Sequence, residues 1–585
     1  MLAVIVMILP CRIVAEGPVC YFTYTGTHNP EDPGSEVYAW QGSMSAEAVL
    51  WQNDTAYFKA VIESAEQTHV TVNTECNLPL DILVLDETLA SLGAGENTGA
   101  PYVTVPEIVK ETNTLEMAAG ERRQFLIRAQ VPAGTPAGTY DGTVTVETES
   151  GISTLAVHLQ VVGLSLPEEN TLSLNLWQYP YAPLRYYACL QGEEPFSAKH
   201  REILLDEMRK YAELGGESIT VTAVDEAWGH QTYDDYPAMI RWHKDNDGWM
   251  WFDYTQFDAW VSLCMEAGVD ERIDTFSILP WSSAVTFDME DGSKVNYPLS
   301  VGSQEWRDVW GTFLMDYMYH LNEKGWLDRT YIFIDERDIA SVQAAVDLVR
   351  SLKLEDGRGL KLATAVNRIP RETELFDQID YVSVSLAAVP ENDPEFDTFL
   401  QHRHETGLET TMYTCSTNYP NSFAASDPAE SVWTVHYLAS RGFDGFLRWA
   451  LDAWPADPLH TLDYRLFEAG DTLLFYPDEA DADSPQARDS IRSLMLAQGM
   501  RDMRKVSYLL EHMPEGAEKT ALQETAENIR RSYGNFNAWG AMYASGPDAS
   551  VLICEENEAF RACVDQASLA MPAQAGTVWK KNACE

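Results

Sequence analysis

A short apolar run, Tyr331-Ile-Phe-Ile334, leads straight into two adjacent carboxylates, Asp335 and Glu336. A buried parallel strand does not end on acids without cause, and paired carboxyls are equipment for acid, base or nucleophilic work. Neighbours on a regular strand point to opposite faces. Both acids can therefore reach one substrate only if the pleat breaks at the strand tip. The competing reading gives Asp335 to the start of a helix at Ile339, or to a pair with Arg337. A second pair, Asp225-Glu226, has the same placement and can equally orient a loop.

Aromatic residues recur at the ends of other strand-like runs: Trp177 and Tyr179, Trp228, Trp281, Tyr413, Trp449 and Trp454, with Asn421 beyond Tyr413. Aromatic rings stack on the apolar face of a pyranose while carboxylates do the bond chemistry. The candidate site is thus Asp335 and Glu336 as reacting groups, with these aromatics, Glu226 and Asn421 as substrate contacts. Trp251, Trp260 and Trp310 lie on helical patterns and read as core. No Gly-x-Ser-x-Gly elbow, His-Glu-x-x-His or phosphate-binding loop is present, so serine hydrolase, zinc protease and nucleotide hydrolase chemistry lack support. The nine cysteines form neither a Cys-x-x-Cys pair nor a set with zinc-ligand spacing. No structural metal is expected.

The elements that must position these residues fall into three stretches. From about 21 to 166 short alternating runs such as His69–Val72, Ile82–Leu85, Arg123–Arg128, Gly142–Glu147 and Thr154–Val162 are separated by Gly/Pro turns. That predicts an antiparallel β-sandwich. From 167 to 478 the rhythm becomes strand, helix, strand, with about eight strands, which fits a (β/α)8 TIM-type barrel whose site lies at the C-terminal strand ends. From 479 to 585 amphipathic helices, one starting near Ile491, form an extension packed on the barrel. Residues 1–20 stand apart. Their apolar start, Met1 to Pro10, reads equally as a clipped export signal or as a first buried strand, leaving a secreted or periplasmic location and a cytoplasmic one evenly weighted.

Charge bounds the partners. Forty Lys+Arg against 90 Asp+Glu give a formal net charge of −50, which repels a phosphate backbone, so no nucleic-acid partner is expected. No later segment approaches the roughly 20 apolar residues of a membrane span.

The chain also resembles glycoside hydrolase family 123 and its relatives in the domain of unknown function 4091 group. The resemblance is carried, in order, by Ala137–Val146, Asp225-Glu-Ala-Trp-Gly-His-Gln-Thr232, Phe252–Asp258 and Tyr331-Ile-Phe-Ile-Asp-Glu-Arg337. It continues with Gly445–Ala450, Trp454, Asp457-Pro458, Gly470–Pro477 and Ile491–Asp502. It implies a retaining exo-β-N-acetylgalactosaminidase that works without cofactor by substrate-assisted catalysis. In that scheme Asp335 holds the 2-acetamido N–H and Glu336 is the acid and base. Two alternatives stay open: a retaining glycosidase of another hexoside using Glu226 and Glu336, and a glycan-binding protein without catalysis.

Overall fold

The structure is a computed structural model that describes residues 18–28, 42–93, 99–416, 418–462, 464–465, 467–533 and 547–571. The apolar run at 1–10 lies outside them. Alternating burial along Gly138–Thr148 and the first part of Gly151–Ser165 sorts apolar side chains to one face, whereas Leu80–Ser91 and Arg122–Val131 are buried on both, with Leu83, Leu85 and Leu126 turned toward Ile491 and Leu494. Two five-stranded sheets result, and they share one core that includes Phe58, Val84, Phe125, Val144 and Leu159. Pairing within them departs from the antiparallel expectation at one place, where Ser45–Gln52 runs parallel to Gly151–Ser165. Parallel neighbours need a long crossover, and every other strand of the two sheets except Val19–Thr23 lies in the chain between them.

Eight strands then form a single parallel sheet: Ser173–Leu176, Ser218–Thr222, Arg272–Phe276, Thr330–Asp335, Lys361–Val366, Tyr381–Ser385, Glu409–Thr414 and Gly445–Arg448. Each pairs with its successor from the second onward, and the eighth pairs with the first. The second, third and sixth are buried at every position, as strands covered on both faces must be. Helices including Ala198–Leu214, Thr255–Ala267, Gln304–Lys324, Ile339–Ser351 and Ala429–Arg441 connect them. Asp338, not Asp335, caps the helix at Ile339, accepting from the Ser341 N–H at 3.0 Å.

The sheet is barrel-like, but the seam between its first and second strands is not a backbone ladder. One backbone bond crosses it, from the Glu217 N–H to the Leu174 carbonyl at 3.2 Å. Side chains supply the remainder. The Gln178 amide accepts from the Thr220 N–H at 2.8 Å and donates to the Ser218 carbonyl at 3.1 Å. The Tyr211 hydroxyl takes the Leu176 N–H and gives its proton to the Leu174 carbonyl, both at 3.0 Å.

The sequence pattern did not reveal a four-stranded sheet built from the chain after the second and third barrel strands. It consists of Arg241–Lys244, Met250–Asp253, Ala284–Met289 and Lys294–Pro298. Trp251 therefore stands exposed on a strand rather than in a helical core, whereas Trp260 and Trp310 are buried as expected.

Helices Ile491–His512, Ala517–Ser532 and Pro547–Ala570 follow the barrel. The first links barrel and amino-terminal sheets through a buried ion pair: Arg492 Nε donates to Glu107 Oε1 at 2.6 Å, with both side chains excluded from solvent. Arg492 also donates to the carbonyls of Ser422 and Gly470 at 2.6 and 2.8 Å. Burial pushes the Glu107 carboxyl up to about 7 despite the guanidinium. Removing one partner of such a pair leaves an uncompensated charge. Glu107→Ala is expected to lose about 3–5 kcal/mol of unfolding free energy in denaturant titration. The double variant Glu107→Leu/Arg492→Met should recover a large part of it.

Candidate active site

At the tip of the fourth barrel strand the pleat breaks as the two acids require. The strand ends at Asp335, and Glu336 adopts φ +46° while its N–H still reaches the Ala365 carbonyl at 3.1 Å on the fifth strand. A positive φ is uncommon for a residue with a side chain, and such conformations persist only where the surroundings fix them. Here they do. Glu336 Oε2 accepts from Asn367 Nδ2 at 3.1 Å, one residue past the fifth strand, and Oε1 accepts from the Tyr413 hydroxyl on the seventh. Asp335 Oδ2 accepts from the Trp281 indole N–H at 3.1 Å.

The Asp335 carboxyl is pushed up to about 7, first by desolvation and next by the neighbouring Glu336 charge. The Trp281 hydrogen bond and the Arg337 charge oppose that shift. Arg337 forms no hydrogen-bonded pair with Asp335; it lies over the Trp281 ring at 5.9 Å. A carboxyl that holds its proton near neutrality beside a second, firmly oriented one is suited to proton transfer.

An aromatic cluster shares these strand tips. Trp177, Trp228 and Trp449 touch mutually, with ring centroids 5.5, 5.3 and 6.0 Å apart. Phe276 and Phe333, stacked at 4.6 Å, lie against Trp177. The indole nitrogens of Trp177, Trp228 and Trp449 have no hydrogen-bond partner among the described residues. A buried N–H without an acceptor calls for an explanation, and three of them lie together in this cluster.

The family model described as "Glycoside hydrolase 123, catalytic domain" matches residues 177–509, a span that contains all of these groups. The chain belongs to glycoside hydrolase family 123. It is a glycosidase. A solved family 123 glycoside hydrolase from Clostridium perfringens, studied for glycolipid glycan hydrolysis, is 28% identical with a TM-score of 0.87, covering 94% of this chain and 98% of that one. Similarity to an endo-β-1,4-mannanase from Thermotoga petrophila is far weaker, at 10% identity and a TM-score of 0.33 over 60% of this chain and 79% of that one. No curated protein matches.

Within the candidate site the expected residues divide. Asp335, Glu336, Trp281 and Tyr413 converge through direct hydrogen bonds, and Trp177, Trp228 and Trp449 form the neighbouring cluster. Four others face elsewhere. Trp454 is buried among Tyr186 and Tyr187 and donates to the Phe475 carbonyl at 3.0 Å. Asn421 is buried, accepting from Arg448 Nη1 at 2.6 Å and donating to the Cys415 carbonyl at 2.9 Å. Tyr179 is buried, with its hydroxyl on the Asp235 carbonyl at 2.6 Å. Glu226, at φ +50°, turns its oxygens onto its own loop, accepting from the N–H groups of Tyr236 at 2.7 Å and His230 at 3.0 Å. Glu226, His230 and Asp235 offer ligand-type atoms within 4.8 Å of one another. The Glu226 bonds mark that group as a loop closure. Asn367, Phe276 and Phe333 went unnoticed in the sequence; the strand-end position of Asn367 was the available signal.

Two outcomes follow from the shifted carboxyl. Trp281→Phe removes the hydrogen bond that lowers the Asp335 pKa, so the acid limb of the kcat/KM profile, which reports the free enzyme, should move to higher pH. Asp335→Asn should stabilise the fold in a pH-dependent way. Between its model-peptide value near 3.8 and about 7, the folded state holds the proton that the unfolded state has lost. Wild-type stability therefore falls with rising pH across that window. The Tm gain of the variant should be absent at pH 3.5, grow up to pH 7 and then level off.

Proposed function

We propose that the protein is a retaining exo-β-N-acetylgalactosaminidase acting by substrate-assisted catalysis, on a TIM-type barrel at about 167–478 flanked by a β-sandwich at 21–166 and a helical region at 479–585. The observation that carries this reading is the unequal treatment of two adjacent carboxyls: Asp335 is half-buried, shifted to about 7 and held by one N–H donor, while Glu336 is oriented by Tyr413 and Asn367.

The chemistry follows from the Asp335 carboxyl, which desolvation and the neighbouring Glu336 charge raise to about 7, so that it can change charge on binding. A substrate acetamide N–H donating to Asp335 favours its ionised form, as the Trp281 N–H already does. The acetamide oxygen attacks C1, and Asp335 stabilises the positive charge developing on the acetamide nitrogen. Glu336 gives its proton to the leaving oxygen. A water, deprotonated by Glu336, then opens the oxazolinium ring from the opposite side, so configuration is retained. The acetamide replaces the second carboxyl of the ordinary retaining scheme. The unpartnered indole N–H groups of Trp177, Trp228 and Trp449 support a sugar in the adjoining cluster, where ring faces and donors come together. Glu226, held by its own loop, does not favour the two-carboxylate alternative. The glycolipid glycans of the Clostridium perfringens relative suggest a glycoconjugate substrate.

Glu336→Gln should lower kcat/KM on an aryl β-N-acetylgalactosaminide by roughly 10²–10⁴-fold while leaving sugar affinity, measured by calorimetry, nearly unchanged. A GalNAc-thiazoline should inhibit the wild type. Equal turnover of aryl hexosides lacking the acetamide would remove the role given to Asp335.

A further inference from the structure

The four-stranded sheet that follows the second and third barrel strands, here the rim sheet, has two faces, and packing accounts for only one. Trp242, Phe252 and Phe287 point inward, where Trp242 lies 5.2 Å from Trp310 and 4.5 Å from Phe313 of helix Gln304–Lys324. The register pairs His243 with Trp251 and with Asp288, and Asp288 with Lys294, so these four share the outer face. The pairing continues past the strand end through the Asp245 N–H to the Trp249 carbonyl at 3.0 Å. Trp249 and Trp251 therefore project from the same face at alternate positions, about 7 Å apart. They are 72% and 41% exposed. His243 backs the Trp251 ring at 5.1 Å with the planes 9° apart.

We propose that this outer face is a second glycan-binding surface, with Trp249 and Trp251 as stacking platforms for sugar units on the leaving-group side of the scissile bond. Three observations choose the occupant. The rings are isolated apolar plates surrounded by hydrogen-bonding groups, not a continuous apolar patch of the kind a lipid or protein partner requires. Further along the same strands a crevice of about 160 Å³ combines Arg241, Thr286, Asp288, Lys294, Asp225 and Gln256, which can bind hydroxyls, with apolar walls that include Pro195, Pro237 and Ala238. Chain continuity joins the face to the catalytic rim: the strand Ala284–Met289 begins three residues after Trp281, whose N–H holds Asp335. A pyranose chain, apolar on its ring faces and polar at its edges, fits both kinds of surface at once.

The inference rests on the glycan reading of the active site, and two substrates separate it from that reading. An aryl β-N-acetylgalactosaminide occupies only the reacting centre; a GalNAc-terminated tetrasaccharide extends beyond it. In the full chain, Trp249→Ala/Trp251→Ala should leave kcat/KM on the aryl glycoside within about twofold and lower it on the tetrasaccharide about tenfold, mainly through KM. Trp251→Tyr should restore part of the loss, because a ring remains. In the Glu336→Gln background, tetrasaccharide titration followed by tryptophan fluorescence should weaken by a similar factor when both rings are removed. Equal losses on both substrates, or no loss on either, would overturn the proposal. So would an effect confined to binding phosphatidylcholine vesicles, or to self-association seen by light scattering. If the wild type fails to cleave the aryl glycoside, the proposed activity falls, while the fluorescence titration still decides the surface.

Discussion

At Glu336 the backbone leaves the extended region for φ +46°, and that single departure frees two consecutive carboxyls from pointing to opposite faces. Extended backbone would send them apart. A conformation of this kind costs on the order of 1–3 kcal/mol, so it must be held by contacts from outside its own strand: the Ala365 carbonyl and Asn367 after the fifth strand, Tyr413 from the seventh. Glu226, after the second strand, shows the same turn at φ +50° with a different result. Its partners are N–H groups of its own loop, and the carboxylate is absorbed into local structure. What separates the two acids is who holds them.

Behind the mouth, two buried cations hold the supporting loops. Arg448, on the eighth strand, donates to Thr414, Asn421 and Asp471 at 2.9, 2.6 and 2.9 Å. It shares the Ser422 carbonyl with Arg492, which in turn is neutralised by Glu107 of an amino-terminal sheet. The amino-terminal sheets are thus electrostatically tied to the loop that follows the seventh barrel strand. Their contribution to the site is indirect, through the ions that keep this loop in register.

Much of this was legible beforehand. The amphipathic helix expected to start near Ile491 does so, because an apolar period with Ser490 before it is a local signal. The break at the strand tip was stated as a condition and is met. The rim sheet was missed because its strands are only four to six residues long, too short for an alternating pattern to stand out. Trp454 and Asn421 were misplaced for another reason. Position at a strand end does not say whether a side chain faces the mouth or the layer behind it, and both found acceptors or donors in that layer.

The seam between the first and second barrel strands has its own consequence. Elsewhere around the ring, opening the sheet means breaking a run of backbone bonds together. Here a rotamer change at Gln178 and Tyr211 would release the edge piecemeal. Free energies of local opening vary widely within one fold, and this line is where amide protons of Leu176 and Thr220 would exchange with solvent before the remainder of the ring. Trp177 begins one residue beyond that edge, so the first part of the ring to breathe is also the part that carries a wall of the aromatic cluster.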